Sequence, residues 1–297
     1  MKKILVIGSI RKEILSHVFS LPKGNEDIES FDVEEKIGGG AYYTGLLMEK
    51  MQFPYTLLAC VGTGANGEEI REKLDEEGII CFESEGIHGS FYQLIDPQGN
   101  TGSFVVDGCE YDFLMDELQY LDMDEHASVI LFSEMLNEDT VDDILYALEE
   151  MQLPVYFVLN EDGYELDPVI RNAIYALEPV VIMHENDHIY ASSVKENTNQ
   201  DVILVKKDGI GYYGKEEFEA FPYENNCNMD LFAASFVLGC NIGLQMKDAV
   251  AFAILTDKET KQGERTDAFT MDLLRNKLAD FIKGKDYGKE IRTAMDV

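Results

Sequence analysis

Basic residues are scarce in this chain. Twenty-four Lys and Arg face 57 Asp and Glu, a formal charge of −33 with a pI of about 4.3. That balance excludes nucleic acid and anionic membrane surfaces as partners, because both require basic patches. Cysteine is also scarce. The five (Cys60, Cys81, Cys109, Cys227 and Cys240) are scattered, odd in number and never in CxxC spacing. They read as reduced thiols of a cytoplasmic protein rather than a disulfide framework. No apolar run is long enough to cross a bilayer, and Ile4-Leu5-Val6-Ile7 is too short for a signal peptide. Internal repeats and low-complexity linkers are missing as well.

What is present suits one large α/β domain over residues 1–297, with 45% hydrophobic content for its core. The most informative stretch runs from Glu224 to Gly239. Polar Asn residues lead to Asp230, and an almost wholly apolar segment follows. Asp is a preferred N-cap, so a helix is expected to start there and to be buried nearly all round. The open first turn of such a helix offers N–H groups and a positive dipole end to an anion such as phosphate. A capped core helix with no ligand carries the same letters.

A second cue is Gly38-Gly39-Gly40, ahead of a helix reaching about Met51. It allows positive φ and close approach to a ligand, or simply a tight strand-to-helix turn. Residues 13–36 read as one or two exposed strands. Tyr55 to Gly62 reads as a single strand, and the Gly-rich run from Gly62 to Gly67 breaks the chain. A helix over 68–77 follows, with Gly78 as its C-cap. Between Gly86 and Gly108 short strands turn at Asp96-Pro97-Gln98-Gly99-Asn100. Beyond that, strands at 128–133, 155–159, 180–183 and 202–205 alternate with helices such as 139–151. This predicts a doubly wound, mostly parallel sheet with ligands at the strands' C-terminal ends. Glu134, Asn160, His184 and Asp187 fall at such ends. Lys206 to Gly211 reads as a hairpin turn, Ala249 to Thr256 as a helix, and Asp267 to Lys283 as a last amphipathic helix.

The stretch at Asp230 resembles the second signature of the ribokinase/PfkB family of carbohydrate kinases, Asp-Thr-x-Gly-Ala-Gly-Asp-x-Phe-x-Ala-Gly-Phe. Asp230, Phe232, Ala234 and Phe236 match, while Cys227-Asn228-Met229 replace Gly-Ala-Gly. Gly38 and Gly39 match the first signature, Gly-Gly-x-x-x-Asn-x-Ala, with Tyr43 in place of its Asn. His184 to Asp187 stands as a His-x-x-Asp variant of Asn-x-x-Glu. Lys206 and Gly209 stand in the nucleotide turn, and Gly263 matches a glycine near the adenine.

The resemblance implies a ribokinase-like fold with a small β-sheet lid from about residues 10–36 and 86–108, and pairing of two copies through that lid. It implies transfer of the ATP γ-phosphoryl group, with Mg²⁺, to an alcohol of a sugar or nucleoside. Asp230 would be the base. Backbone groups of Asn228, Met229 and Leu231 would form the anion hole, and Asn228 would supply the left-handed backbone that the lost glycines allowed. Glu13, Gly38, Gly39, Tyr43, Glu134 and Asn160 would face the acceptor, and His184, Lys206, Gly209 and Gly263 the nucleotide. Asp187 would hold Mg²⁺ through water. A family member that binds small molecules without transfer is the alternative. A third reading takes His184-Glu185-Asn186-Asp187-His188 as the zinc motif H-E-x-x-H, which requires a helix; the strand before it and its poor helix formers argue for a turn.

Overall fold

The structure is a computed structural model that describes residues 1–159, 166–184, 201–206, 209–214, 218–223, 227–266, 276 and 279–281. The expected helix over 267–283 therefore lies mostly outside the described residues.

The first half of the chain runs β1 (Lys3–Ile7), β2 (Arg11–Val18), β3 (Ser30–Gly38), α1 (Gly40–Met51), β4 (Tyr55–Leu58), β5 (Cys60–Thr63), α2 (Gly64–Glu77), β6 (Phe82–Ile87), β7 (Ser90–Ile95), β8 (Thr101–Val106) and the short α3 (Met115–Leu118). The second half runs β9 (His126–Phe132), α4 (Val141–Met151), β10 (Val155–Leu159), α5 (Pro168–Ala176), β11 (Val180–His184), β12 (Val202–Lys206), β13 (Gly209–Tyr213), β14 (Phe218–Pro222), α6 (Met229–Asn241) and α7 (Met246–Thr266).

Eight strands form the main sheet in the order β14-β13-β12-β11-β10-β9-β1-β4. Pairing is parallel from β4 to β12 and antiparallel from β12 to β14. Because side chains alternate along a strand, each parallel strand feeds two cores. Ile4, Val6, Ile130, Phe132, Ile182 and Ile203 join one core with α1, α6 and α7. Leu5, Ile7, Val129, Leu131, Val181 and Leu204 join the other with α4 and α5. A second sheet has the order β3-β2-β7-β8. The mostly parallel, doubly wound architecture read from the alternating strands and helices is thus observed.

Several local expectations are corrected. Helix α6 begins at Met229, with Asn228 rather than Asp230 as its N-cap. Asn ranks with Asp as a cap, and its side-chain oxygen accepts the Leu231 N–H at 3.0 Å. The segment 55–62 is two strands in different sheets, divided at Ala59. Helix α2 starts at Gly64, inside the glycine run, and α7 extends well beyond Thr256. Strand β2 is not exposed, since Arg11, Lys12 and Glu13 are all buried.

Candidate active site

The chain leaves β1 through Gly8 and Ser9 at the C-terminal edge of the main sheet, and it leaves β9 into a 3₁₀ turn carrying Glu134. The two exits meet. Glu134 Oε1 accepts from Ser9 Oγ at 3.2 Å and lies 3.5 Å from the Ser9 N–H. The three glycines at the start of α1 close over the same point. Ser9 O accepts the Ala41 N–H at 3.0 Å. Gly39 has φ +96, and a Cβ there would lie 2.4 Å from Ser9 O. A Cβ on Gly40 would meet the Phe132 ring at 2.3 Å, and one on Gly38 would meet Glu13 Oε1 at 2.2 Å. Gly39 and Gly40 are therefore required by packing, which accounts for them as a tight turn without reference to a ligand.

Glu13 is held between two cations. Its Oε1 accepts from Arg11 Nη2 at 3.3 Å, and its Oε2 pairs with Lys36 Nζ at 3.4 Å. The Arg11 guanidinium lies 4.8 Å from the centre of the Phe91 ring. Arg11 and Glu134 border a cavity of about 560 Å³ between β8, the turn after β9 and the starts of α4 and α5. Of the residues the sequence assigns to the acceptor, Glu134 lines it; Glu13, Gly38 and Gly39 sit behind Arg11 and Ser9. Tyr43 is half-buried and packs edge-on against Tyr42. The lining carries Asp107, Asp112, Glu134, Glu138, Asp139 and Asp167, and among the described residues Arg11 is its one basic member. Burial, then the charge of Asp139, pushes the Asp112 carboxyl above its ordinary range.

Asp230 lies in the first turn of α6 and is 8% exposed; it is not part of that cavity's lining. Met229 turns its side chain into the apolar core. Asn228 has φ −73 and ψ 108, so the helix starts without a left-handed residue there, contrary to the role expected for it. Two of the N–H groups assigned to the anion hole already have acceptors. The Asn228 N–H donates to Asp257 Oδ1 at 3.1 Å, and the Leu231 N–H donates to the Asn228 side chain. Those two groups are therefore not open to an incoming phosphate.

At the same sheet edge His184 ends β11 and Lys206 ends β12; across the ladder His184 is paired with Val205, the residue before Lys206. Lys206 also pairs with Gly209 across the hairpin, as expected of a turn. His184 closes a strand, and Glu185 to His188, the rest of the zinc motif, lie outside the described residues. Gly263 falls within α7. Asn160 and Asp187 lie outside the described residues.

Among the described residues, one buried trio, His88, Cys109 and Glu110, has metal-ligand chemistry. His88 Nδ1 accepts the Gly62 N–H at 3.2 Å, and Nε2 lies 2.9 Å from Ile10 O, which fixes the neutral Nε2–H tautomer. Burial lowers the His88 pKa in the same sense. With both ring nitrogens on backbone groups, the histidine ties Ile10, just before β2, to β5 and leaves no lone pair for a metal.

Ser9, Arg11 and Asp257 contact the candidate residues, and the sequence reading did not single them out. Ser9 was legible as the residue just past a strand's C-terminal end. Asp257 was legible as a carboxylate seven positions after Val250, on the apolar face of α7. Arg11 carries no such signal.

No family model matches the chain. Solved structures of ribokinase-type enzymes match nearly all of it. A ribokinase from Thermotoga maritima superposes with a TM-score of 0.71 at 16% identity, covering 95% of this chain and 100% of the other. A nucleoside kinase from Burkholderia thailandensis in complex with inosine gives 0.72 at 13%, covering 94% and 98%. An Arabidopsis thaliana ribokinase complexed with ribose and ATP gives 0.67 at 16%, covering 86% and 91%. The fold is that of ribokinase-type kinases, as the two signatures implied. Among curated proteins, the uncharacterized sugar kinase YegV of Escherichia coli K12 is 21% identical over 274 residues, 84% of this chain and 85% of its own.

Proposed function

We propose that this protein transfers the γ-phosphoryl group of ATP to a hydroxyl of a sugar, nucleoside or similar small alcohol. The observation that carries the reading is a single carboxylate, Asp230, in the first turn of the buried helix α6 of a ribokinase-type fold. Asp230 accepts the hydroxyl proton as the oxygen attacks phosphorus. The positive end of α6 faces the charge that develops on the transferring group. Glu134, fixed by Ser9, accepts hydrogen bonds from acceptor hydroxyls. Tyr43 and the Gly38–Gly39 turn bound the acceptor side.

ATP is proposed to lie along the C-terminal ends of β11 and β12, beside His184, Lys206 and Gly209, with Gly263 toward the adenine. A Mg²⁺ ion would offset phosphate charge, and Asp187 is the carboxylate proposed to hold it through water. The acidic cavity disfavours anionic acceptors by direct repulsion, so the acceptor is an unphosphorylated molecule, neutral or cationic. The four-stranded sheet covers this side as a lid, and two copies pair through its outer face.

The test is ADP release over a panel of sugars and nucleosides, together with thermal stabilisation by ATP and Mg²⁺. Turnover with at least one acceptor is expected. Asp230→Asn should keep the fold and lose about 100-fold or more in kcat, the scale of a missing general base. No stabilisation at millimolar ATP and no ADP release would remove the kinase reading.

A further inference from the structure

Asp257 is a fully buried carboxylate to which the proposed chemistry assigns no task. It projects from α7, the helix packed against α6. Its two oxygens take different partners. Oδ1 accepts the Asn228 N–H at 3.1 Å, and Oδ2 accepts the Tyr223 hydroxyl. Tyr223 is itself buried, directly after β14, and the Lys258 ammonium lies 5.3 Å from the centre of its ring. One side chain thus grips the chain at both ends of its passage from β14 to α6.

We propose that Asp257 is a positioning residue for phosphoryl transfer, setting the start of α6 and with it the Asp230 carboxylate and the N–H groups beside it. The proposal rests on the kinase reading of this site. Bonds from N–H and O–H donors to a buried carboxylate are short and strong, and breaking one strands a charge. The clamp acts on Asn228, which in turn caps the helix through Leu231, so displacement of Asn228 moves the whole first turn. Where the family signature has Gly-Ala-Gly, this chain carries Cys227-Asn228-Met229. A fixed anchor on α7 holds that bulkier turn in one place. Small displacements of this kind cost rate more than binding, because they act on the alignment of the reacting atoms.

The experiment compares wild type, Asp257→Asn and Tyr223→Phe by ADP release, by thermal melting and by amide hydrogen exchange of the segment 227–232. Asp257→Asn should lower kcat about tenfold or more while KM for ATP and for the acceptor stays within about twofold. Exchange should quicken at 227–232 and stay unchanged in the main sheet. Tyr223→Phe, which keeps the Asn228 contact, should give a smaller loss of kcat and carries the test if Asp257→Asn does not fold. Unchanged kcat in a folded Asp257→Asn variant overturns the proposal. So does a rise in both KM values that tracks lost thermal stability, since that is the mark of a merely structural contact. A wild-type protein that releases no ADP overturns the kinase reading instead; exchange then judges the clamp alone, and unchanged exchange in Asp257→Asn overturns it.

Discussion

At the scale of single residues, the decisive contacts are those with no room to adjust. Gly40 faces the ring of Phe132, which is itself completely buried. Gly40→Ala should therefore cost about 1–3 kcal/mol by overpacking, read as a lower melting temperature. Activity should fall further than stability, because the same turn holds Ser9 against Glu134. Individual letters showed part of this. Gly38, Gly39 and Glu134 were assigned to one site from the resemblance, and the structure brings them together around Ser9 and Arg11. The Glu13–Lys36 ion pair was not legible, because it joins β2 to β3 by register rather than by spacing; Arg11 stands two residues from Glu13 on β2 itself.

At the scale of elements, the helix carrying Asp230 was legible in its burial and misread in its start. Both Asn228 and Asp230 can cap, and sequence alone does not say which side chain reaches the third N–H. Asn228→Ala should cost about 1 kcal/mol, the usual value of a lost cap, measurable in denaturant unfolding. Asp230→Ala should show no such capping loss, since its side chain is not the cap. Helix α5 illustrates a signal left unread. Asp167 accepts the Val169 N–H at 2.7 Å, with Pro168 at the first helical position, the usual Asp-Pro entry to a helix. The division of 55–62 into β4 and β5 could not be read from hydrophobicity, because both pieces are apolar and differ only in the sheet that receives them.

At the scale of the molecule, alternation along β1, β9, β10, β11 and β12 made the fold readable. Each strand is apolar on both faces, which only a sheet covered by helices on both sides allows. The smaller sheet is different. Glu13, Phe91 and Val105 share one face of it, while Val33, Phe104 and Val106 share the other and are each more than half exposed. Tyr92 and Phe104 stack on that outer face at 4.7 Å. If two copies pair there, light scattering gives twice the chain mass of 33.5 kDa, and Phe104→Asp returns a single chain with its fold intact. A single-chain mass for the unaltered protein removes that pairing.

The position of β1 has a consequence for how the molecule comes together. It is the earliest strand of the main sheet, yet its neighbours are residues 55–58 on one flank and 126–132 on the other. Its second row of hydrogen bonds waits for a partner distant in the chain, a closure that slows folding. A fragment ending before His126 would carry Ser9 and the glycine turn complete, but it would lack Glu134, the carboxylate they are built to meet.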